Sequence, residues 1–512
     1  MGRKILLITT DQQRHDALGC TGGTVARTPA IDQLAASGLN FRQARNQNTV
    51  CMPERATILT GQYIRRHGVT SNGIPLPVDA PNLAAYLHEH GYRTALLGKA
   101  HFEPASHTDY FENWAASKGS TGPHRGFDRM ELCGHTGRPG RSLTHYPRWL
   151  RDEHPEAVDG FHEYTANGSP SGRGGGDTDA PQVWHNSIPR EQYHTDWTAD
   201  RTMAFLDSLS DDEDWFVWMS FPDPHHPWDP PQSELGRVNW RDLDLPDAYP
   251  GSAEKTAAIL AQKPRHWLEW FEGRGQFNFE VPPDLISANL TEDQIREVNA
   301  MAHISNELID EAVGRVVAHI DGKGWGRDTD IFYTTDHGEF QGDFGMLFKG
   351  PYHVEGLMRL PFIWRPAASA SIAPDEIHAP VGHVDLAPTI CAVAGLSVPD
   401  WMQGQPLPTS DSNGATAGRE RTITEWQDSF AGNDITMRTL YRDGYICTAY
   451  ERTNYYDSDD VGELYDLGED PQQWRNLWNE PSFQSLKSDL VADLYDNLAP
   501  GGDEPLEKVA QV

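Results

Sequence analysis

The 512-residue chain predicts an α/β fold: a large, mostly parallel (mixed) sheet sandwiched by helices, then a smaller C-terminal α+β domain carrying an antiparallel sheet. Three observations predict it. Short apolar runs alternate with segments of helical spacing over residues 1–408, the pattern of strands covered on both faces. Polar clusters follow several of these runs directly, where open parallel sheets bind their ligands. Beyond the Ser/Thr/Gly/Asn-rich stretch Thr409–Gly418, which reads as a linker, the pattern changes to short β-rich runs.

Taken in order, Ile5–Thr10 is a first strand, Pro81–His90 a helix stopped by Gly91, and Tyr92–Leu97 a strand closed by Gly98. Asp196–Leu209 has helical spacing, Trp215–Phe221 is a buried strand ending at Pro222, Glu292–Ile320 a long helix, and Asp330–Thr335 a further strand. After the linker, Arg421–Gln427, Thr436–Arg442 and Tyr445–Glu451 read as antiparallel strands and Ser482–Leu498 as a closing helix. The expected domains are therefore 1–408 and 409–512. Residues 103–195, rich in Gly, His, Arg and Pro, and 222–290, rich in Pro and Trp, carry no regular pattern. Insertions this long usually shape a substrate pocket or a subunit contact, here of a homodimer or homotetramer. Trp228, Trp240, Trp267 and Trp270 are expected to pack within their loop; the other reading is a wall for an apolar or sugar group.

Forty-two Lys and Arg against 75 Asp and Glu give a net charge of −33, which repels nucleic acid and anionic membrane surfaces. The apolar run of the N-terminus is too short for a signal peptide or membrane helix. Five cysteines without CxxC pairing indicate neither a disulfide framework nor structural zinc. A cytoplasmic protein is expected, and an anionic substrate would need a locally basic pocket.

Four strand ends carry that chemistry: Asp11-Gln12, Lys99-Ala-His101, Asp223-Pro-His225-His226 and Asp336-His337. Carboxylate, amide and imidazole donors gathered from Asp11, Gln12, Asp336 and His337 suit one divalent cation. The sharpest local signal is Cys51-Met-Pro53-Glu-Arg55 with Leu59-Thr-Gly61 beyond. Lys349 closes Gly342-Asp-Phe-Gly-Met-Leu-Phe-Lys349, and Asn72 stands in Thr70-Ser-Asn-Gly73.

The cysteine motif, with these strand ends and the closing Glu463-Leu-Tyr-Asp-Leu-Gly-Glu-Asp-Pro471, resembles the sulfatase branch of the alkaline-phosphatase superfamily. The resemblance touches residues 5–477 and thins in the two insertions. It implies that Cys51 is oxidised to formylglycine by a formylglycine-generating enzyme and that one divalent metal, Ca2+ or Mn2+, is held by Asp11, Gln12, Asp336, His337 and residue 51. The hydrated aldehyde offers two hydroxyls; one attacks sulfur, and the other releases sulfate as the carbonyl re-forms. Arg55 would stabilise the hydrate, Lys99 and Lys349 the transferring group, and His101 would take the elimination proton. His225, with Lys349, would assist the leaving oxygen. Asn72 and His226 would bind substrate, His226 being the alternative to His225.

The family typically has Asp-Asp and Asp-Asn where this chain has Asp11-Gln12 and Asp336-His337, and an imidazole ligand moves preference from calcium toward manganese. The expected function is hydrolysis of a sulfate monoester. The alternatives are a phosphonate monoester or phosphodiester hydrolase with the same site, a two-zinc phosphatase, and a non-catalytic anion-binding protein.

Overall fold

The computed structural model describes residues 3–104, 110–134, 144–158, 175–278, 280–282, 284–409, 418–502 and 505–511. Its strands are β1 (Lys4–Thr10), β2 (Leu39–Phe41), β3 (Ala44–Arg45), β4 (Arg93–Gly98), β5 (Arg129–Leu132), β6 (Trp215–Ser220), β7 (Thr329–Thr335), β8 (Phe362–Arg365), β9 (Asp375–Ile377), β10 (Val381–Gly382), β11 (Arg421–Phe430), β12 (Asn433–Arg442), β13 (Tyr445–Tyr450) and β14 (Gly462–Asp466).

The main sheet runs β5-β4-β6-β1-β7-β8-β2-β9. β5, β4, β6, β1 and β7 are parallel; β8 is antiparallel to β7 and to β2, so the sheet is mixed as expected. Each central strand is apolar at successive residues because both its faces are covered. Ile5 and Leu7 of β1, with Phe216, Trp218 and Phe332, face a layer built by helices Cys51–Thr60, Leu83–Glu89 and Leu386–Val393. Leu6 and Ile8 point the other way, with Val217, Met219 and Ile331, against helices Pro29–Ala36, His194–Asp207 and Glu292–Gly322. The last starts in a capping box, with Thr291 and Gln294 satisfying each other's backbone amides.

The structure corrects two readings. Residues 103–195 are not irregular throughout, since they include β5 and the helix His145–Glu153. β5 alternates charged Arg129 and Glu131 with buried Met130 and Leu132 over four residues, too short a period to announce an edge strand. Residues 222–290 likewise contain helices Ala253–Leu260 and His266–Phe271. Trp228, Trp267 and Trp270 are core residues packed with Phe348 and Tyr352, so they form no open wall, while Trp240 is half-buried under Arg241. This apolar cluster seats the insertion against the segment leading to Lys349.

β11–β14 form a separate antiparallel sheet covered by the helix Gln484–Asp496. It is not remote from the chemistry: Glu425 N–H of β11 donates to Gln47 O (2.8 Å) and Asn48 Nδ2 donates to Glu425 O (2.7 Å), so the small sheet braces the residues that lead into Cys51. Of the expected linker, residues 410–417 lie outside the described residues. Among the described residues no helix is long and apolar enough to cross a membrane.

Candidate active site

Helix Cys51–Thr60 explains the sequence motif physically. Val50 is extended, the helix begins at Cys51, and Pro53 falls in the first turn, where a missing N–H costs nothing. Glu54 turns back to accept the N–H groups of Gln47 and Asn48, both at 2.8 Å. Gly61 ends the helix in the left-handed region at φ 64°, returning its N–H to Thr57 O, which is why the motif closes with Thr-Gly. All ten helical residues are buried.

β4, β6, β1 and β7 are neighbours in the sheet, so their carboxyl ends deliver the four polar clusters to one place. Thr10 and Thr335 pair in register, and Asp11 and Asp336 therefore emerge side by side. Gly98 gives β4 its exit: at φ 108° it lies so close to β6 that a Cβ would stand 1.8 Å from Ser220 O, and Lys99 N–H donates to that same oxygen at 2.8 Å.

Ligand atoms of Asp11, Cys51, Asp336 and His337 all lie within 4.8 Å of one another, and all four residues are buried. Cys51 Sγ is 3.2 Å from His337 Nε2, 3.7 Å from Asp11 Oδ1 and 3.5 Å from Lys99 Nζ. His337 Nδ1 donates to Gly338 O (2.9 Å), which leaves the Nε2 lone pair facing the cluster, the tautomer a metal ligand needs. Behind it Arg55 is wholly buried, donating to Asp336 Oδ2 at 2.9 Å, Asp11 Oδ2 at 3.0 Å, and Lys99 O and Ser220 Oγ at 2.9 Å each. Lys99 also pairs with Asp11. Two buried carboxylates and an unprotonated imidazole nitrogen aimed at one point fit a divalent cation.

A second group of side chains adjoins it. Lys349 Nζ donates to Gln12 Oε1 (2.5 Å) and His225 Nε2 (2.7 Å) and pairs with Glu280 (2.7 Å). His225 Nδ1 donates to the His226 carbonyl, so Nε2 is the acceptor toward Lys349. Gln12 Nε2 donates to Glu339 at 2.6 Å and lies 3.0 Å from His226 Nδ1, and Gln12 N–H donates to Asp336 Oδ1 at 3.0 Å. His225, His226 and Glu280 could themselves ligate an ion, but the Lys349 ammonium already sits on two of them and would repel one.

His101 follows Lys99 in a left-handed conformation (φ 59°), its N–H and that of Phe102 held by the Glu112 carboxylate at 2.9 and 3.0 Å. It lines a cavity of about 40 Å3 with Lys99, Glu112 and Cys133. Asn72 Oδ1 accepts the N–H of Met52 (3.0 Å) and so secures the start of the helix Cys51–Thr60; its expected place near Cys51 is thus a backbone contact. Sequence reasoning missed Glu280 and Glu339. Asp336-His-Gly-Glu339 carried a signal for the second, and nothing in the loop around 280 marked the first.

Burial, then Asp11, pushes the Cys51 thiol up to about 12 in the metal-free site, which disfavours the thiolate there. Burial lowers His337 from the ordinary imidazole range. Burial lifts Glu339 to about 7 against the amides of Gln341 and Phe348. Burial opposes the charge on both Lys349 and Glu280, yet Lys349 is raised by Cys51, Glu280 and Asp11, and Glu280 is held well below the carboxylate range by Lys349 and His225.

Comparison with known proteins agrees with this geometry. The sequence profile described as Sulfatase matches residues 3–396, and that of the N-sulphoglucosamine sulphohydrolase C-terminal region matches 342–499. The chain belongs to the sulfatase family, the sulfatase branch of the alkaline-phosphatase superfamily. The uncharacterized sulfatase YidJ of Escherichia coli (strain K12) is 26% identical over 96% of this chain and 86% of its own length. An arylsulfatase of Clostridium perfringens (strain 13 / Type A) is 25% identical over 96% and 95%. In fold, a phosphonate monoester hydrolase from Silicibacter pomeroyi superposes with a TM-score of 0.76 at 23% identity, covering 98% of this chain and 96% of the other.

Proposed function

We propose that this protein hydrolyses small-molecule sulfate monoesters, using formylglycine made from Cys51 by a formylglycine-generating enzyme and one divalent metal. The observation that carries the proposal is the meeting of Cys51 Sγ with Asp11, Asp336 and His337 within 4.8 Å. Formylglycine would supply the nucleophilic hydroxyl, and the ion would lower its pKa and neutralise the ester's oxygens. Asp11, Asp336, His337 and residue 51 would hold the ion. Gln12 Oε1, which has a second lone pair beyond the one given to Lys349, would complete the set. The imidazole favours manganese over calcium.

The chain's own groups then divide the work. Arg55 fixes both carboxylates, so its action on the hydrate is exerted through them. Lys99, next to residue 51 and Asp11, offsets charge on the transferring group. His101 takes the proton when sulfate is released. Lys349 donates to His225 Nε2, and the pair would pass a proton to the leaving oxygen. His226, 3.0 Å from Gln12, would orient that amide, and Asn72 the helix start. Cys51 is fully buried, so its maturation would precede folding. Five free cysteines and the acidic surface support a cytoplasmic location.

Gln12 and His337, where the family typically has Asp and Asn, favour a second reading, hydrolysis of phosphonate monoesters or phosphodiesters at the same site. Kinetics with para-nitrophenyl sulfate and phenyl phosphonate esters, for wild type and Cys51→Ala, tests both. Sulfate turnover abolished by the substitution and by chelation, with one metal bound per chain, is the expected result. Preference for the phosphonate selects the second reading. Two tight zinc ions, or no turnover at all, would favour the phosphatase or the non-catalytic binding protein.

A further inference from the structure

Lys349 takes its direct ion-pair partner from outside the strand ends: Arg55 and Lys99 pair with Asp11 and Asp336, whereas Lys349 pairs with Glu280, 2.7 Å away, from the 222–290 insertion. The arrangement is built. Asn278 Oδ1 accepts the Glu280 N–H (2.8 Å), Asn278 Nδ2 donates to Lys349 O (3.1 Å), and Gln182 Nε2 holds Glu280 O (2.8 Å), so one short loop grips both the lysine's backbone and the carboxylate's. Glu280 is 3% exposed and also lies 3.5 Å from His225 Nε2, itself 4.0 Å from Asp11 Oδ1. Arg55, Lys99 and Lys349 thus pair directly with Asp11, Asp336 and Glu280, with Glu339 beyond Gln12, and Glu280 removes one unit of positive charge beside Lys349.

We propose that Glu280 is a specificity-determining and positioning residue: it holds Lys349 in place while making the site favour esters whose transferring group carries one negative charge over dianionic phosphate monoesters. This rests on the hydrolase reading above. The physical ground is that a fixed carboxylate repels a dianion about twice as strongly as a monoanion at the same distance, in a dry site where that difference is weakly screened. Sulfate monoesters, phosphonate monoesters and phosphodiesters all fall in the favoured class.

The test compares kcat/KM of the full-length, matured enzyme for para-nitrophenyl sulfate and para-nitrophenyl phosphate at about pH 8, where the phosphate is a dianion. Glu280→Gln is expected to raise the phosphate-to-sulfate ratio by roughly tenfold or more, whatever happens to the absolute rates. Glu280→Asp keeps the charge and should leave the ratio near wild type. A merely structural role would lower both rates together. A Glu280→Gln ratio within about twofold of wild type, in protein that melts normally, would overturn the proposal. If that variant does not fold, Glu280→Ala carries the same test, since it also removes the charge and should move the ratio in the same direction, and an unmoved ratio overturns the proposal equally. A wild type that hydrolyses neither ester would overturn the functional reading, and this inference with it.

Discussion

Around Cys51 the reactive groups are fixed by regular structure: Asp11 and Asp336 leave paired strands in register, Lys99 leaves a third, and Cys51 opens a buried helix whose Arg55 bonds both carboxylates. Around Lys349 the partners come from loops, with Glu280 supplied by an insertion, Gln12 and His225 by strand exits, and Glu339 by the turn after β7. The first half is rigid and generic, as suits the attack and metal chemistry common to a family. The second is where a change of loop changes charge, and with it the ester accepted.

The sharpest way to break that contrast is Arg55→Ala. It leaves two buried carboxylates without their guanidinium, and metal-free protein should lose about 3–5 kcal/mol in denaturant unfolding, with activity below detection. An unchanged midpoint would mean that the strand-end half is not held as described. Gly98→Ala comes next, because a Cβ 1.8 Å from Ser220 O must push β4 from β6 and displace Lys99. A fall in kcat/KM of roughly a hundredfold is expected, and a wild-type rate would show that Lys99 tolerates being moved.

The loop half should reveal itself in pH dependence. The Glu339 carboxyl is raised to about 7 in the fold, so its protonated form is the one the fold favours. Its contribution is complete below the ordinary carboxyl range and disappears as pH rises through about 7, on the order of 3 kcal/mol for a shift of that size. Unfolding of chelator-treated protein across this window should show the decline, and Glu339→Gln should flatten it. Asn72→Ala should be mildest, about 1 kcal/mol for a lost contact at a helix start. A much larger loss of kcat/KM than of stability would show that Asn72 also touches substrate.

The same contrast explains what could be read in advance. β1, β6 and β7 carry apolar runs and are followed by charged residues, so Asp11, Asp336 and His337 were legible as a group, and the Cys51 motif is contiguous because one helix turn builds it. β5 and β8, four residues each, were too short for periodicity, and helices in both insertions hid behind Pro and Trp. Glu280 was illegible because nothing local makes an acidic residue in a Pro-rich loop face a lysine 69 positions later in the chain. The choice between His225 and His226 likewise needed three dimensions. His225 meets Lys349, whereas His226 stacks beside it and contacts Gln12.

The chemistry of this site turns on what residue 51 is in the working enzyme. The most direct measurement is the mass of the tryptic peptide spanning Cys51, from protein produced together with a formylglycine-generating enzyme and shown to turn over ester. A peptide lighter by about 18 Da, the difference between a CH2SH and a CHO side chain, is the predicted result. An intact thiol in fully active protein would contradict the account, because no hydrated aldehyde would then be present to act as the nucleophile.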